Sequence, residues 1–503
     1  MSSSHRFTVL LTATIGLGLS ATLVATTAVA SAPAAHGSPG VHSLGDRLFP
    51  TLGNGGYDVQ DYDLSLRYRP DRTTMAASVT IRALSTQALS SFSLDSVAQR
   101  ITGVRVDGRA VPFRLDPAQE KLIVTARIPD RRLFDVRIDY VADRSQNPAP
   151  PGTTLPPGVD WPIEAWVKTP DGFATFGQPN RAHQFFPSND YPSDKARYTV
   201  RLTVPSDRTA VSAGRLLAKY RHHGETTWIY RTDHPIKPDV LPIAVGRFRE
   251  IEQTGPHGLP VRSYVTLEKA PNGQTLTEPM ELNARQTPAQ LAWLEQQIGR
   301  PFPYESYGVV GLASAYNGVA LETATLSTFG GQLAAPPEDE APTLVHEMAH
   351  QYFGDAVAVR TWDDMWLSEG HARYYERKYA GERGFIDYTA ELKTLYERDQ
   401  SLRDEQGPAG RLKNPGSVLF DTDAPGQLML VGLNHLVGDA TFRTIERTFY
   451  DRYRDGVAST ADYVAIANQL SGRDLTPYFD AWLYSPITPP MPGHPDWHST
   501  KKA

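Results

Sequence analysis

The sequence predicts two domains of different class: an all-β sandwich or saddle first, then a mainly α domain of α+β type. Three observations carry that prediction. At 503 residues the chain is too long for one ordinary core. Short runs of alternating apolar and polar residues, separated by turn signals, fill it up to about residue 246. Beyond that point apolar residues recur at helical spacing. A hydrophobic content of 40% with 21% charged residues is that of a globular protein, which excludes large-scale disorder. The formal net charge of −6 provides no electrostatic footprint for nucleic acid.

Residues 1–30 contain Arg6, then an apolar run from Phe7 to about Ala30 that ends in Ala28-Val29-Ala30. A basic start, an apolar stretch and a small-x-small ending predict a secretory signal peptide cleaved near Ala30, with no membrane span afterwards. The run is near spanning length, so an uncleaved anchor is the alternative. Its Ala, Thr and Gly content, in place of Leu, favours cleavage. Residues 31–43 read as a flexible lead-in and 44–246 as the β domain. Its strand signals lie at 57–68, 78–83, 91–94, 101–106, 121–127, 134–140, 197–204 and 226–231, with turns such as Asp107-Gly108 between them. Short strands at this spacing indicate antiparallel sheets rather than βαβ units. Residues 247–490 form the second domain, with helices expected over 278–298, 343–353, 364–380, 385–399, 427–438 and 460–470 and strands near 307–312 and 324–329. Residues 491–503 are a tail. There is no cysteine, so any metal site must use nitrogen and oxygen donors, and Cys-rich zinc modules are excluded.

The chemistry concentrates in Thr343-Leu-Val-His-Glu-Met-Ala-His-Gln-Tyr-Phe-Gly-Asp355. On a helix, His346 and His350 project from one face and can share one ion, and imidazole suits zinc. Glu347 stands between them, within reach of a water at that ion. Two histidines four apart also occur on helix surfaces by chance. A third donor changes the odds: Glu369, in Trp362-Asp-Asp-Met-Trp-Leu-Ser-Glu-Gly370, would complete a His₂Glu set with a fourth position open. That is the arrangement of a catalytic rather than a structural zinc.

The run HEMAHQYFGD…WDDMWLSEG resembles the zinc signature of peptidase family M1, the aminopeptidase N family, with its HExxH-x18-E spacing. The segments 48–59 (LFPTLGNGGYDV), 178–196 (QPNRAHQFFPSNDYPSDKA), 319–323 (VALET) and 475–483 (LTPYFDAWL) resemble family motifs in the family's order, over roughly residues 44–490. The resemblance implies a saddle-like β domain followed by a thermolysin-like domain. It also implies a zinc metallopeptidase with one Zn²⁺ per chain, held by His346, His350 and Glu369, with Glu347 as general base. Glu322 matches the glutamate of the exopeptidase motif (Gly-x-Met-Glu-Asn) that binds a substrate's free α-amine, so the expected substrates are peptides with a free N-terminus. Gln178 matches the glutamine that the β domain contributes to the cleft. Asp364, or Asp363 beside it, is expected to support a ligand histidine or to cap the following helix. The long C-terminal helical domain of larger members has no counterpart here, which implies a more open site.

The sequence also departs from the family pattern. Val319 occupies the glycine position of the exopeptidase motif, with Gly318 next to it as a substitute for the turn, and Thr323 replaces asparagine. His371 replaces an aromatic or apolar residue, and reads as an exposed helix residue or a pH-sensitive neighbour of the site. Most consequentially, the family carries a tyrosine just before a basic-Gly pair, and its phenol stabilises the oxyanion. Here Pro425-Gly426 takes the basic-Gly position and Asp423, or a neighbour, stands at the tyrosine position; no tyrosine occurs between Tyr396 and Tyr450. Losing one such donor typically costs about 10²–10³ in kcat. His435 or a tyrosine from elsewhere could substitute. The alternatives are a slow peptidase, a zinc-binding homologue that recognises peptide N-termini, or an endopeptidase on the same scaffold.

Overall fold

Strand Tyr57–Arg67 shows how the alternation becomes architecture. Tyr57 and Val59 face inward, a bulge falls between Val59 and Asp61, and the inward phase resumes at Tyr62, Leu64 and Leu66. Without that extra residue, Asp61 and Asp63 would enter the core. The computed structural model describes residues 37–97, 99–143, 165–313 and 320–499. The signal-peptide reading, the first part of the 31–43 lead-in and the Gly318-Val319 departure lie outside the described residues.

Tyr57–Arg67 lies inside an eight-stranded sheet. Its order is Arg215–His222, Glu225–Arg231, Arg197–Pro205, Tyr57–Arg67, Thr74–Ser85, Leu133–Asp143, Gln99–Val106 and Arg109–Ala110. All pairings are antiparallel except Arg197–Pro205 with Tyr57–Arg67. Two four-stranded sheets accompany it. A five-stranded sheet of mixed direction then leads into the helical part: Phe248–Thr254, Pro260–Thr266, Val309–Gly311, Ser327–Phe329 and, at its edge, Ala320–Leu321. The architecture is therefore a β-rich N-terminal domain followed by a mostly helical domain, as the two textures of the sequence predict.

The helices among the described residues are α1 (Thr277–Ala284), α2 (Thr287–Ile298), α3 (Pro337–His350), α4 (Trp366–Glu382), α5 (Tyr388–Gln406), α6 (Asp423–Val437), α7 (Asp439–Tyr453), α8 (Thr460–Ser471) and α9 (Thr476–Tyr484). The single helix expected over 278–298 is two. Pro288 stands in the first turn of α2, has no N–H to donate and would crowd the carbonyl four residues back, so α1 stops at Ala284. Helix α7 was not expected. Its buried Phe442, Ile445, Glu446, Phe449 and Tyr450 keep helical spacing, but Gly438 reads as a stop when it is only a hinge before an immediate restart.

Helix α4 packs between α3 and α6. Its contact with α6 is close because two glycines face each other: a Cβ on Gly370 would lie 2.8 Å from the Cα of Gly426. Being covered on several sides also corrects the expectation for His371. Its side chain is fully buried, stacks on Phe353 at 4.4 Å between ring centres and has Nε2 3.2 Å from Glu446. It is a core histidine, neither exposed nor part of the site.

Candidate active site

Two turns of α3 carry the first two donors. His346 and His350 are separated by one helical turn, and their Nε2 atoms lie 3.1 Å apart. The first turn of α4 supplies the third: Glu369 Oε2 is 3.6 Å from His346 Nε2 and 3.5 Å from His350 Nε2. A tetrahedral zinc ion with bonds of about 2.0–2.1 Å holds its donors roughly 3.3 Å apart. A triangle with edges of 3.1, 3.5 and 3.6 Å fits that ion, and two imidazoles with one carboxylate match its donor preference. The resident metal is Zn²⁺.

The outer nitrogens of both histidines are tied down, which fixes ring orientation. His346 Nδ1 faces Glu376 Oε2 at 3.0 Å, and His350 Nδ1 faces the Ser368 hydroxyl at 2.9 Å. Asp364, expected either in this role or as a helix cap, takes the second. Its Oδ2 accepts from Thr361 N and Oγ1, and its Oδ1 accepts from Thr460 N and Oγ1. It closes a capping box ahead of α4 and pins the start of α8. Asp363 instead pairs with Arg47. Glu376 lies seven residues, two helical turns, after Glu369, so its face was legible in the sequence. That it meets His346 required the packing of α3 on α4.

Glu322 follows directly on the edge strand Ala320–Leu321. A carboxylate oxygen of Glu322, one of Glu347 and a nitrogen of His350 all lie within 4.8 Å of one another. Gln178, 144 residues earlier, donates its amide to Glu322 Oε1. Gln351 holds the arrangement from behind: its side chain donates to Glu322 O at 3.0 Å and accepts from Thr325 N at 2.8 Å. Thr325 sits at φ +63°, a strained setting for a β-branched residue. Thr323 does not line the cavity; its hydroxyl bonds Leu326 O and Thr328 Oγ1.

Gln178, Glu322, His346, Glu347, His350 and Glu369 line one cavity of about 280 Å³, with Thr343, Arg373, Glu376, Leu419, Phe420 and Asp423. Glu347 is buried, and its Oε2 has no hydrogen-bond partner in the protein. An orphaned buried carboxylate oxygen beside three clustered donors is what a reacting water would satisfy. Burial is the chief cause of a Glu347 pKa well above the carboxylate range. His346 opposes the rise, while Glu322, Glu369 and Glu376 add to it. Burial also pushes Glu376 upward, but Arg373, His346 and Arg377 outweigh it and hold that carboxyl well below the usual range. Asp423, at the expected tyrosine position, does line the cavity; His435 packs on Gly493 and does not.

A β-rich domain followed by a helical domain with a His₂-carboxylate donor set defines the zinc-metallopeptidase class. A Peptidase family M1 domain model matches residues 282–482, and a Peptidase M1 N-terminal domain model matches 168–236; together they cover just over half of the sequence. The chain belongs to peptidase family M1. It is 22% identical over 450 residues to aminopeptidase N of Streptomyces lividans, covering 85% of this chain and 50% of that protein. It is 24% identical over 363 residues to aminopeptidase B of Mus musculus, covering 66% and 53%. The chain thus spans about half the length of these curated relatives. The crystal structure of an M1 zinc metallopeptidase from Deinococcus radiodurans superposes with a TM-score of 0.76 at 28% identity, covering 90% of this chain and 99% of that one. A mutant of that protein bound to a Tyr-Ser-Ala substrate gives 0.77 at 27% identity, covering 90% and 100%.

Proposed function

We propose that this protein is a secreted aminopeptidase that hydrolyses the first peptide bond of peptides with a free N-terminus. The observation that carries this reading is the carboxylate of Glu322, gathered with Glu347 and His350 and supported by Gln178. A buried carboxylate pairs with an ammonium group, and its separation from the reacting centre sets which bond is cut. An endopeptidase has no use for such a group.

In this reading His346, His350 and Glu369 hold the zinc ion, which supplies Lewis acidity toward the attacking water and the carbonyl. Glu347 takes one proton of the water as its oxygen adds to the carbonyl carbon, and the C=O pair moves onto the carbonyl oxygen. When that pair returns, the C–N bond breaks and Glu347 delivers the proton to the leaving amine. Secretion rests on the N-terminal sequence: Arg6, the run from Phe7 and Ala28-Val29-Ala30. Among the described residues no helix is long and apolar enough to cross a membrane.

The test is release of a fluorescent amine from aminoacyl reporters by the purified, zinc-loaded protein. Glu347→Gln is expected to lose about 10²–10⁴-fold in kcat, and N-acetylated reporters to be cut far more slowly than free-amine ones. Equal rates for wild type and Glu347→Gln would reject the enzyme reading in favour of a binder of peptide N-termini. Equal cleavage of acetylated reporters would point to an endopeptidase and remove the role of Glu322.

A further inference from the structure

Peptide hydrolysis places a negative charge on the former carbonyl oxygen, and apart from the metal this cavity offers few groups to receive it. Five carboxylates line it: Glu322, Glu347, Glu369, Glu376 and Asp423. Three of these have assigned partners among the metal, the substrate amine and the water. An oxyanion forming here needs a donor, preferably a cation, since such groups are worth most in a water-poor site. Gln178 already gives its amide to Glu322. Apart from the two metal-binding histidines, the cation lining the cavity among the described residues is Arg373.

The fold brings Arg373 there through the glycine contact. Gly370 and Gly426 touch, Arg373 lies one turn after Gly370 on α4, and Asp423 lies one turn before Gly426 at the start of α6. Arg373 Nε consequently lies 3.8 Å from Asp423 Oδ2, while Nη1 donates to Glu376 at 3.1 and 3.2 Å. Glu376 touches His346 at the same time, so the guanidinium is anchored one contact away from the metal ligands. Its Nε is buried without a hydrogen bond, and the side chain, which lines the cavity, is 21% exposed. A planar fork with spare N–H groups, held by one carboxylate and neutralising a second, suits an oxygen that gains charge.

We propose that Arg373 is a catalytic residue that donates to the oxyanion, and that Asp423 positions it. This rests on the aminopeptidase reading above. Asp423 alone would repel the oxyanion; paired with Arg373 it instead aims the cation. The interaction is made in the transition state and not with the bound peptide, so its removal acts on kcat and not on KM.

The experiment compares wild type with Arg373→Gln and Arg373→Lys, all loaded with zinc and checked for metal content. Three readouts are taken: kcat and KM on an aminoacyl reporter, and calorimetric affinity for a phosphinic dipeptide analogue whose anionic tetrahedral centre imitates the oxyanion. Arg373→Gln is expected to lower kcat about 10²–10³-fold, leave KM within about threefold and weaken phosphinate binding by a similar factor as kcat. Arg373→Lys is expected to recover part of both. A loss confined to KM would make Arg373 a substrate-binding group, and a loss that follows metal content would make it a support for Glu376; either overturns the proposal, as does unchanged phosphinate affinity. The calorimetric comparison decides the role of Arg373 even if wild type does not turn over peptides, so failure of the two readings can be told apart.

Discussion

Glu376 and Asp364 are both carboxylates near the metal ligands, and they do different work. Glu376 faces His346 Nδ1 at 3.0 Å and keeps its charge through Arg373 and Arg377. Glu376→Gln keeps the size and loses the charge. It is expected to weaken zinc binding about 10–100-fold, measured by competition with a chromophoric chelator. Asp364 bonds Thr361 and Thr460 and no ligand histidine. Asp364→Asn, which replaces an accepting oxygen by an amide nitrogen that cannot accept, is therefore expected to cost about 1–3 kcal/mol of folding stability while zinc affinity stays within a factor of two or three. A large loss of zinc affinity in Asp364→Asn, with little in Glu376→Gln, would reverse these assignments.

At the scale of elements, the β-rich domain contains a buried polar network beside the segment that carries Gln178. The segment after Gln178 turns through Ala182–Gln184, and His183 is enclosed there, with Nδ1 2.6 Å from Asp190 and Nε2 3.5 Å from Glu120. Burial alone would lower the imidazole pKa, but the bond to Asp190 and the nearby charge of Glu120 prevail and raise it to about 10. A folded pKa above the unfolded one, about 6.5, means the charged imidazole stabilises the fold fully below pH 6.5. That stabilisation fades as the pH rises through about 10. Chemical denaturation between pH 6 and 10 is expected to show a decline in wild type that His183→Gln lacks. Parallel curves for the two proteins would remove His183 as the cause.

Across the whole molecule, the donor set His346, His350 and Glu369 spans α3 and α4, so an ion held there would join them, while Gln178 and Glu322 join the β-rich domain to the edge of the five-stranded sheet. An ion that binds only the folded chain stabilises it by mass action, roughly 2.7 kcal/mol at a hundredfold excess over Kd. Chelation is expected to lower the thermal midpoint by several degrees, and restored zinc to recover it. His346→Ala is expected to respond to neither treatment. A midpoint indifferent to chelator in wild type would mean that the three donors do not hold an ion in solution.

The sequence by itself determined whatever depends on neighbours along the chain. Spacing of four on a helix put His346 and His350 on one side with Glu347 between them, and alternation over 57–68 set which residues face a core. The two textures of the chain set the order of β-rich and helical parts. The tertiary structure alone decided which faces meet. His371 looked exposed on a helix rich in polar residues, yet Phe353 and side chains of α7 and α8 cover it. Asp364 read as a partner for a ligand histidine or as a helix cap; the cap is what forms, and the approach of α8 added Thr460 to it. The pairs Gln178 with Glu322 and Arg373 with Asp423 are separated by many residues, and no local periodicity encodes them. Periodicity states which side chains point the same way; only packing, here through Gly370 against Gly426, states what they point at.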